Sequence, residues 1–412
     1  MKTKVITNLS GIVTPTAQLP FGQLHIQEDC AIIIEVDTIK EIIPESQLNI
    51  DKVDSEIIDG KRCWALPGYV DPHTHPVFFK TREAEFEMRI KGKSYEEIAQ
   101  MGGGIRNSVR DFRKASIEEL TEITYHRILE FLYYGTTTIE AKSGYGLSLK
   151  DELRSLRILR KVSKILPITI VPTFLGAHEI PDEFQNKREL YIDLIIKEMI
   201  PAVAEENLAE FCDVFAEEHV FTIQESERIL EAAKEYGLQP KIHADELTYS
   251  GGAELAVKVK AISADHLLMV SDEGISAMKK SNVIPVLLPG TAFFLGKNRY
   301  APARKLIEVG LPVALATDYN PGSSFTQNMN LILSIACTQM RMLPAEVLWA
   351  STLNSARAIN RNNEYGSLEI NKKADITLMN IPNYQYIPYH YGMNHVVAVI
   401  KHGKTVYQHE QY

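Results

Sequence analysis

The chain has 412 residues, 45% of them hydrophobic and 24% charged, with 23 Gly and 19 Pro. This is ordinary globular composition, and it excludes disordered, fibrous and low-complexity classes. Acidic residues outnumber basic ones 53 to 44, a formal charge of −9, which argues against nucleic acid or an anionic membrane surface as a partner.

The first sixty-odd residues read as short β-strands. Lys4 to Asn8, Leu24 to Ile26 and Ala31 to Val36 are rich in β-branched residues and separated by Gly, Pro and Asp turn signals, with no sustained helical period. From about Pro67 to about Asn360, apolar strands alternate with charged helical stretches. The strands are expected to end at His75, Lys142, His178, Glu217, His243 to Glu246, His266, Gly290 and Asp318. Amphipathic segments such as Asp151 to Leu166, Ile223 to Tyr236 and Asp272 to Lys280 lie between them. Eight such units predict an α/β chain with a TIM (β/α)8 barrel over residues 67–360. A doubly wound sheet also alternates, but it does not need eight units, and no GxGxxG opens the first.

The C-terminal segment returns to strand character. Asp375 to Met379 and Val396 to Ile400 read as strands, with a hairpin turn at Lys401 to Lys404. Residues 1–66 and 361–412 are therefore expected to pair into a small composite β-sandwich beside the barrel.

Cys30, Cys63, Cys212 and Cys337 are scattered without a CxxC pair, which reads as reduced thiols. The opening MKTKVITNLSGIVTP has no apolar h-region, so no secretory signal is expected. The longest uncharged apolar-rich run, Ile284 to Gly296, contains two prolines and is too short to span a bilayer. A cytoplasmic protein is expected.

A TIM barrel carries its active site at the C-terminal ends of its strands, and here those ends are loaded with His and acid. In Asp71-Pro72-His73-Thr74-His75 the two imidazoles are two residues apart on an extended strand, so they project to one side. Strand five ends in Lys241-Ile242-His243-Ala244-Asp245-Glu246, strand six in Asp265-His266 and strand eight in Ala316-Thr317-Asp318. Singly, His243 reads as a core histidine and Asp318 as a helix cap. Together, three imidazoles and a carboxylate at strand ends suit one Zn²⁺ or iron ion with a position left for water.

This pattern of HxH, His, His and Asp resembles the amidohydrolase superfamily, whose members pair a metal-bearing TIM barrel with a sandwich built from both chain ends. Gly366 to Asp375 (GSLEINKKAD) is similar to that superfamily's return to the sandwich. Within it the closer resemblance is to the imidazolonepropionases of histidine degradation. It rests on DPHTHPVF (71–78), MGGGI (101–105), EAKSGYGL (140–147), TFLGAHE (173–179), KIHADE (241–246), ADHL (264–267), VLLPG (286–290) and LATDYNPGS (315–323).

The resemblance implies metal ligands His73, His75, His243 and Asp318, and one divalent metal per chain, Zn²⁺ or Fe²⁺/Fe³⁺. It implies substrate contacts at Arg82, Tyr145, His178, Glu246 and Ser323, and product contacts at Asn320 and Gly322. His266 is expected near the water without being a full ligand. The catalytic set is Asp318, Glu246 and His266, with the base role open between the two carboxylates. The activity implied is hydrolysis of the ring C–N bond of 4-imidazolone-5-propanoate to N-formimidoyl-L-glutamate. The partner is a small molecule, and the family expectation is a homodimer. Pro76 and Lys80 depart from the family's usual residues, at positions that bear on loop shape. The rivals are another ring-opening or deaminating amidohydrolase, and a non-catalytic metal-binding scaffold.

Two-metal members usually bridge their ions with a carboxylated Lys or a Glu near strand four. Here Phe215-Ala216-Glu217-Glu218 has no Lys, which favours one metal and leaves Glu217 as the alternative. Lys142 reads as a charge behind the ligands. The Gly102-Gly103-Gly104 run beside Arg106 does not open a helix in P-loop fashion and reads as a mobile lid. Tyr95, in the same connection, reads equally as a pocket or a structural aromatic.

Overall fold

The computed structural model describes residues 3–49, 55–93, 97–98 and 101–410. Tyr95 lies outside them. Seven strands precede the barrel: β1 (Thr3–Thr7), β2 (Gly11–Thr14), β3 (His25–Glu28), β4 (Cys30–Glu35), β5 (Thr38–Pro44), β6 (Ser55–Asp59) and β7 (Trp64–Pro67). The barrel strands are β8 (Tyr69–Thr74), β9 (Thr136–Lys142), β10 (Thr169–Ala177), β11 (Phe211–Ala216), β12 (Gln239–Ala244), β13 (Ser263–His266), β14 (Ile284–Leu287) and β15 (Ala314–Leu315). Three more follow: β16 (Ile376–Met379), β17 (Val396–Lys401) and β18 (Lys404–Gln408).

β8 to β15 hydrogen-bond in sequence order, every pair parallel. The ring closes at one point, where the His75 amide donates to the Tyr319 carbonyl (2.8 Å) beside a parallel bridge between Thr74 and Tyr319. Asp71 adds a side-chain tie across the same seam, accepting from the Thr317 hydroxyl (2.5 Å) and amide (3.2 Å). Helices run along the outside, for example Leu149–Ser163 and Ile223–Glu235. The second of these starts with a capping box between Thr222 and Glu225.

The expected strand ends are met within a residue or so at β8 to β13. β14 and β15 are the exceptions, for β15 stops at Leu315, three residues before the expected Asp318. β14 stops at Leu287, and Pro289 and Gly290 begin a short helix instead. Proline in the first helical turn has no amide to lose, so the chain turns there at little cost.

The remaining strands form two sheets, β5-β4-β1-β6 and β18-β17-β16-β7-β2-β3. In the six-stranded sheet, β7 lies parallel to β2 and antiparallel to β16, so both chain-terminal segments share one sheet. Side-chain alternation gives it two buried faces. Ile12, Ala65, Ile376, Leu378 and Ile400 pack with Ile6, Ile32 and Ile34 of the four-stranded sheet, while Val13, Trp64, Leu66, Met379 and Val399 join the core around the barrel. Among the described residues no helix is long and apolar enough to cross a membrane.

Candidate active site

Charged residues interrupt the apolar barrel strands at their inner positions. Asp71, Glu140, Lys142, Asp213, Lys241 and Asp265 are all completely buried. Above them, at the strand ends, sit His73, His75, His243, His266 and Asp318, each 3% exposed or less.

The HxH spacing does what extended geometry requires. His73 and His75 meet with their Nε2 atoms 3.2 Å apart, and Asp318 Oδ1 lies 3.6 and 3.5 Å from those same two atoms. His243 brings its ring to 4.5 Å from that of His73. The donor atoms of His73, His75 and His243 lie within 4.8 Å of one another, as do those of His73, His266 and Asp318. Asp245, His266 and Asp318 all have left-handed backbones (φ 51°, 78° and 53°). Non-glycine residues pay for that conformation, and such outliers collect where side chains must be aimed at a site.

The electrostatics suit a ligand set. Burial, followed by the charges of Lys142, His243, His75 and His266, holds His73 well below the ordinary imidazole value. Burial likewise brings His243 down to about 4 against the opposing pull of Asp213. These rings are neutral near pH 7, the form that binds metal. For Asp318, burial alone raises the carboxyl, but the His75 hydrogen bond, the His266 and His75 charges and the Thr291 hydroxyl outweigh it and hold it at about 2. Thr291 donates to Asp318 Oδ2 at 2.5 Å.

Behind the ligand cluster, His73 Nδ1 contacts Asp265 Oδ2 at 2.6 Å and His243 Nδ1 lies 3.0 Å from Asp213 Oδ2. Sequence reading missed Asp213, and Asp265 drew notice only as the neighbour of His266. The signal available was a single acid in each of the short, mostly uncharged strands, Asp213 within Phe211 to Ala216 and Asp265 within Ser263 to His266. Thr291 was also missed, and no local signal marks it.

The two expected carboxylates other than Asp318 separate in role. Glu246 Oε2 lies 3.6 Å from His266 Nε2, at the edge of the cluster. Its neighbour Asp245 fixes that loop by accepting from the amides of Ser250, Gly251, Gly252 and Ala253 at 2.9–3.1 Å. Glu217 turns away. Its carboxylate accepts from the Leu247 amide (2.7 Å) and the Thr248 hydroxyl (2.7 Å), and it joins none of the metal-capable groups among the described residues.

The residues expected to contact substrate or product stand near the same cluster. His178 stacks on His75 with ring centres 5.3 Å apart, and Tyr145 stands edge-on to His178 at 5.4 Å. His178 Nδ1 is 2.8 Å from the Gly144 carbonyl. A carbonyl only accepts, so Nδ1 carries the proton and Nε2 keeps its lone pair. Gly144 is required there, since its φ is +110° and a Cβ would sit 2.9 Å from that nitrogen. Asn320 organises the next loop. Its Nδ2 donates to the Asp318 carbonyl (2.7 Å) and Ser323 Oγ (2.8 Å), and its Oδ1 accepts from the amides of Gly322 and Ser323.

Arg82 is not a free cation. Nε and Nη2 both donate to Glu85 Oε2, at 2.9 and 2.6 Å. Its guanidinium lies against Gly322, where any Cβ would collide with it. The glycine run is also tied in place. The Gly104 amide donates to Glu85 Oε1 (3.1 Å), and Arg110 donates to the Gly102 carbonyl (2.6 Å).

The amidohydrolase family profile matches residues 64–406. An imidazolonepropionase of Alkaliphilus metalliredigens is 47% identical over 411 residues, covering 98% of this chain and 97% of the relative. One of Geobacillus kaustophilus is 49% identical over 407 residues, covering 98% and 96%. The chain belongs to the imidazolonepropionases of the amidohydrolase family. Among solved structures, the fold is similar to a zinc-bound adenosine deaminase from Xanthomonas campestris (TM-score 0.74, 17% identity, 97% of this chain and 92% of that one). It is equally similar to guanine deaminase from E. coli (TM-score 0.74, 13% identity, 100% of each chain). The amidohydrolase fold implies a divalent metal, and this site fits one. Neutral imidazole nitrogens and an ionised carboxylate converge, and both ring nitrogens of buried His266 lack a hydrogen-bond partner.

Proposed function

We propose that this amidohydrolase hydrolyses the ring C–N bond of 4-imidazolone-5-propanoate, giving N-formimidoyl-L-glutamate, at a site holding one Zn²⁺ or iron ion. The observation that carries the metal reading is the convergence of His73, His75, His243 and Asp318 at the ends of β8 and β12 and just past β15. The bound ion supplies Lewis acidity, activating water and polarising the substrate carbonyl.

The protein's own groups do the rest. Asp318 is aimed by its left-handed backbone and the Thr291 hydroxyl, and it takes the proton of the attacking water. The water oxygen bonds to the ring carbonyl carbon, and His266 stabilises the charge gathering on the carbonyl oxygen. The ring C–N bond then breaks, and the departing nitrogen takes a proton delivered through Glu246. Glu246, 3.6 Å from His266 at the edge of the same cluster, is the alternative base. Arg82, Tyr145 and His178 receive the propanoate tail, Glu246 and Ser323 also touch the substrate, and Asn320 and Gly322 line the product side. The Arg82–Glu85 pair keeps the guanidinium in register, so a substrate carboxylate uses its remaining Nη1 edge.

The reading takes the protein as a cytoplasmic homodimer whose partner is this small molecule, without nucleic acid or membrane. Light scattering tests the dimer. Product analysis tests the reaction, with formimidoylglutamate expected and no free ammonia; stoichiometric ammonia would replace this reading with a deaminase.

A further inference from the structure

Two buried ammoniums, Lys142 and Lys241, stand among the charges inside the barrel, and Lys142 is the one that reaches two aspartates. Lys142 Nζ, from β9, lies 2.7 Å from Asp213 Oδ2 on β11 and 3.9 Å from Asp265 Oδ2 on β13. It also donates to Glu140 Oε1 at 2.7 Å. Those two aspartate oxygens are the same atoms that face His73 Nδ1 (2.6 Å) and His243 Nδ1 (3.0 Å). All four charged side chains are completely buried. Lys241 lies as near to Asp265 (3.8 Å) and donates to Ser263 Oγ (2.8 Å), but it has no ion pair with Asp213 among the described residues. Among the described residues Lys142 is the cation in contact with both aspartates.

We propose that Lys142 is a positioning residue that orients His73 and His243 together, acting through Asp265 and Asp213. A carboxylate at Nδ1 favours the ring proton on that nitrogen and leaves the Nε2 lone pair for the ion, through a hydrogen bond at His73 and through the close charge of Asp213 at His243. One ammonium shared by both carboxylates makes the two rings, from opposite sides of the barrel, a single unit. Disturbing either carboxylate loosens the hold on the other. The inference rests on the ligand assignment made above.

The test is Zn²⁺ affinity by chelator competition, starting from metal-free protein, for the parent, Asp265→Asn, Asp213→Asn and the double variant. Melting curves of the metal-free forms and the visible spectrum of the Co²⁺-loaded forms accompany it. Each single variant is expected to bind Zn²⁺ about 10–100-fold more weakly, as is usual when a ligand histidine loses its outer partner. The double variant is expected to lose at least fivefold less than the product of the two single losses, and the Co²⁺ bands should shift. Should Asp265→Asn fail to fold, Asp265→Glu takes its place in the cycle, since it keeps the charge but displaces the oxygen. Affinities within about threefold of the parent, with only the metal-free melting point lowered, would mean a purely structural network and overturn the proposal. Losses that simply multiply would overturn the coupling through Lys142. A parent that takes up no metal instead overturns the ligand assignment itself, and is thereby told apart.

Discussion

The two cores of this molecule follow opposite rules. Between the sandwich sheets the buried residues are aliphatic, led by Ile6, Ile12, Ile32, Ile34, Ile39, Ile376 and Ile400. Inside the barrel, six ionisable groups are buried just as completely: Asp71, Glu140, Lys142, Asp213, Lys241 and Asp265. An aliphatic core stabilises by removing surface from water. A buried charge network stabilises poorly, because desolvation opposes the Coulomb gain. The barrel therefore gives up stability where side chains must be aimed, and the sandwich supplies none of the chemistry.

Substitutions should sort by that division. The largest expected effect is on turnover with Asp318→Asn, which keeps a metal-facing oxygen but accepts no proton near neutrality. Its kcat should fall by about 10²–10⁴-fold in steady-state assays. The same assay on Glu246→Gln sharpens the assignment, since a variant of Asp318 within about tenfold of the parent would hand the base role to Glu246. His243→Ala comes next. Metal content by elemental analysis and turnover should fall together, by more than the roughly 10–100-fold of an outer partner; full metal with full rate would remove His243 from the ligand set.

Arg82→Met should leave metal content unchanged and lower kcat/KM by about two orders of magnitude, since charge-assisted hydrogen bonds are worth roughly 1.5–3 kcal/mol each. An analogue without the carboxylate should lose far less. Equal losses on both would mean that Arg82 serves Glu85 and the loop at Gly322, not the substrate. The smallest effect on catalysis is expected from Ile32→Ala in the sandwich core. Urea unfolding should show a loss of about 2–5 kcal/mol, with kcat unchanged below the transition. A fall in kcat would show that the two cores are not separable.

Sequence made the barrel legible because its signals are local. Strand–helix alternation, capping residues and the two-residue spacing of His73 and His75 all sit within short windows. The clustered His73, His75, His243 and Asp318 were legible for the same reason, each lying at or within three residues of a strand end. The outer groups were not. Asp213 matters only because strand register sets it beside both Lys142 and His243. Thr291 comes from a short helix that replaces the expected end of β14. Arg82 shows the reverse difficulty. A Glu three residues away was visible in the sequence, and whether that Glu or a substrate takes the guanidinium is decided by packing against Gly322. The order of the six-stranded sheet was equally hidden, because it joins segments from the two ends of the chain.

That shared sheet constrains how the protein is made. During synthesis β7 emerges early, but its antiparallel neighbour β16 is translated after the whole barrel. Until then Trp64 to Pro67 offers an unpaired strand edge, the kind of template on which nascent chains aggregate. The barrel's first strand begins two residues after that edge, so His73 and His75 are attached to a segment that waits for its partner. The six-stranded sheet can therefore close on β7 only after β16 has been made.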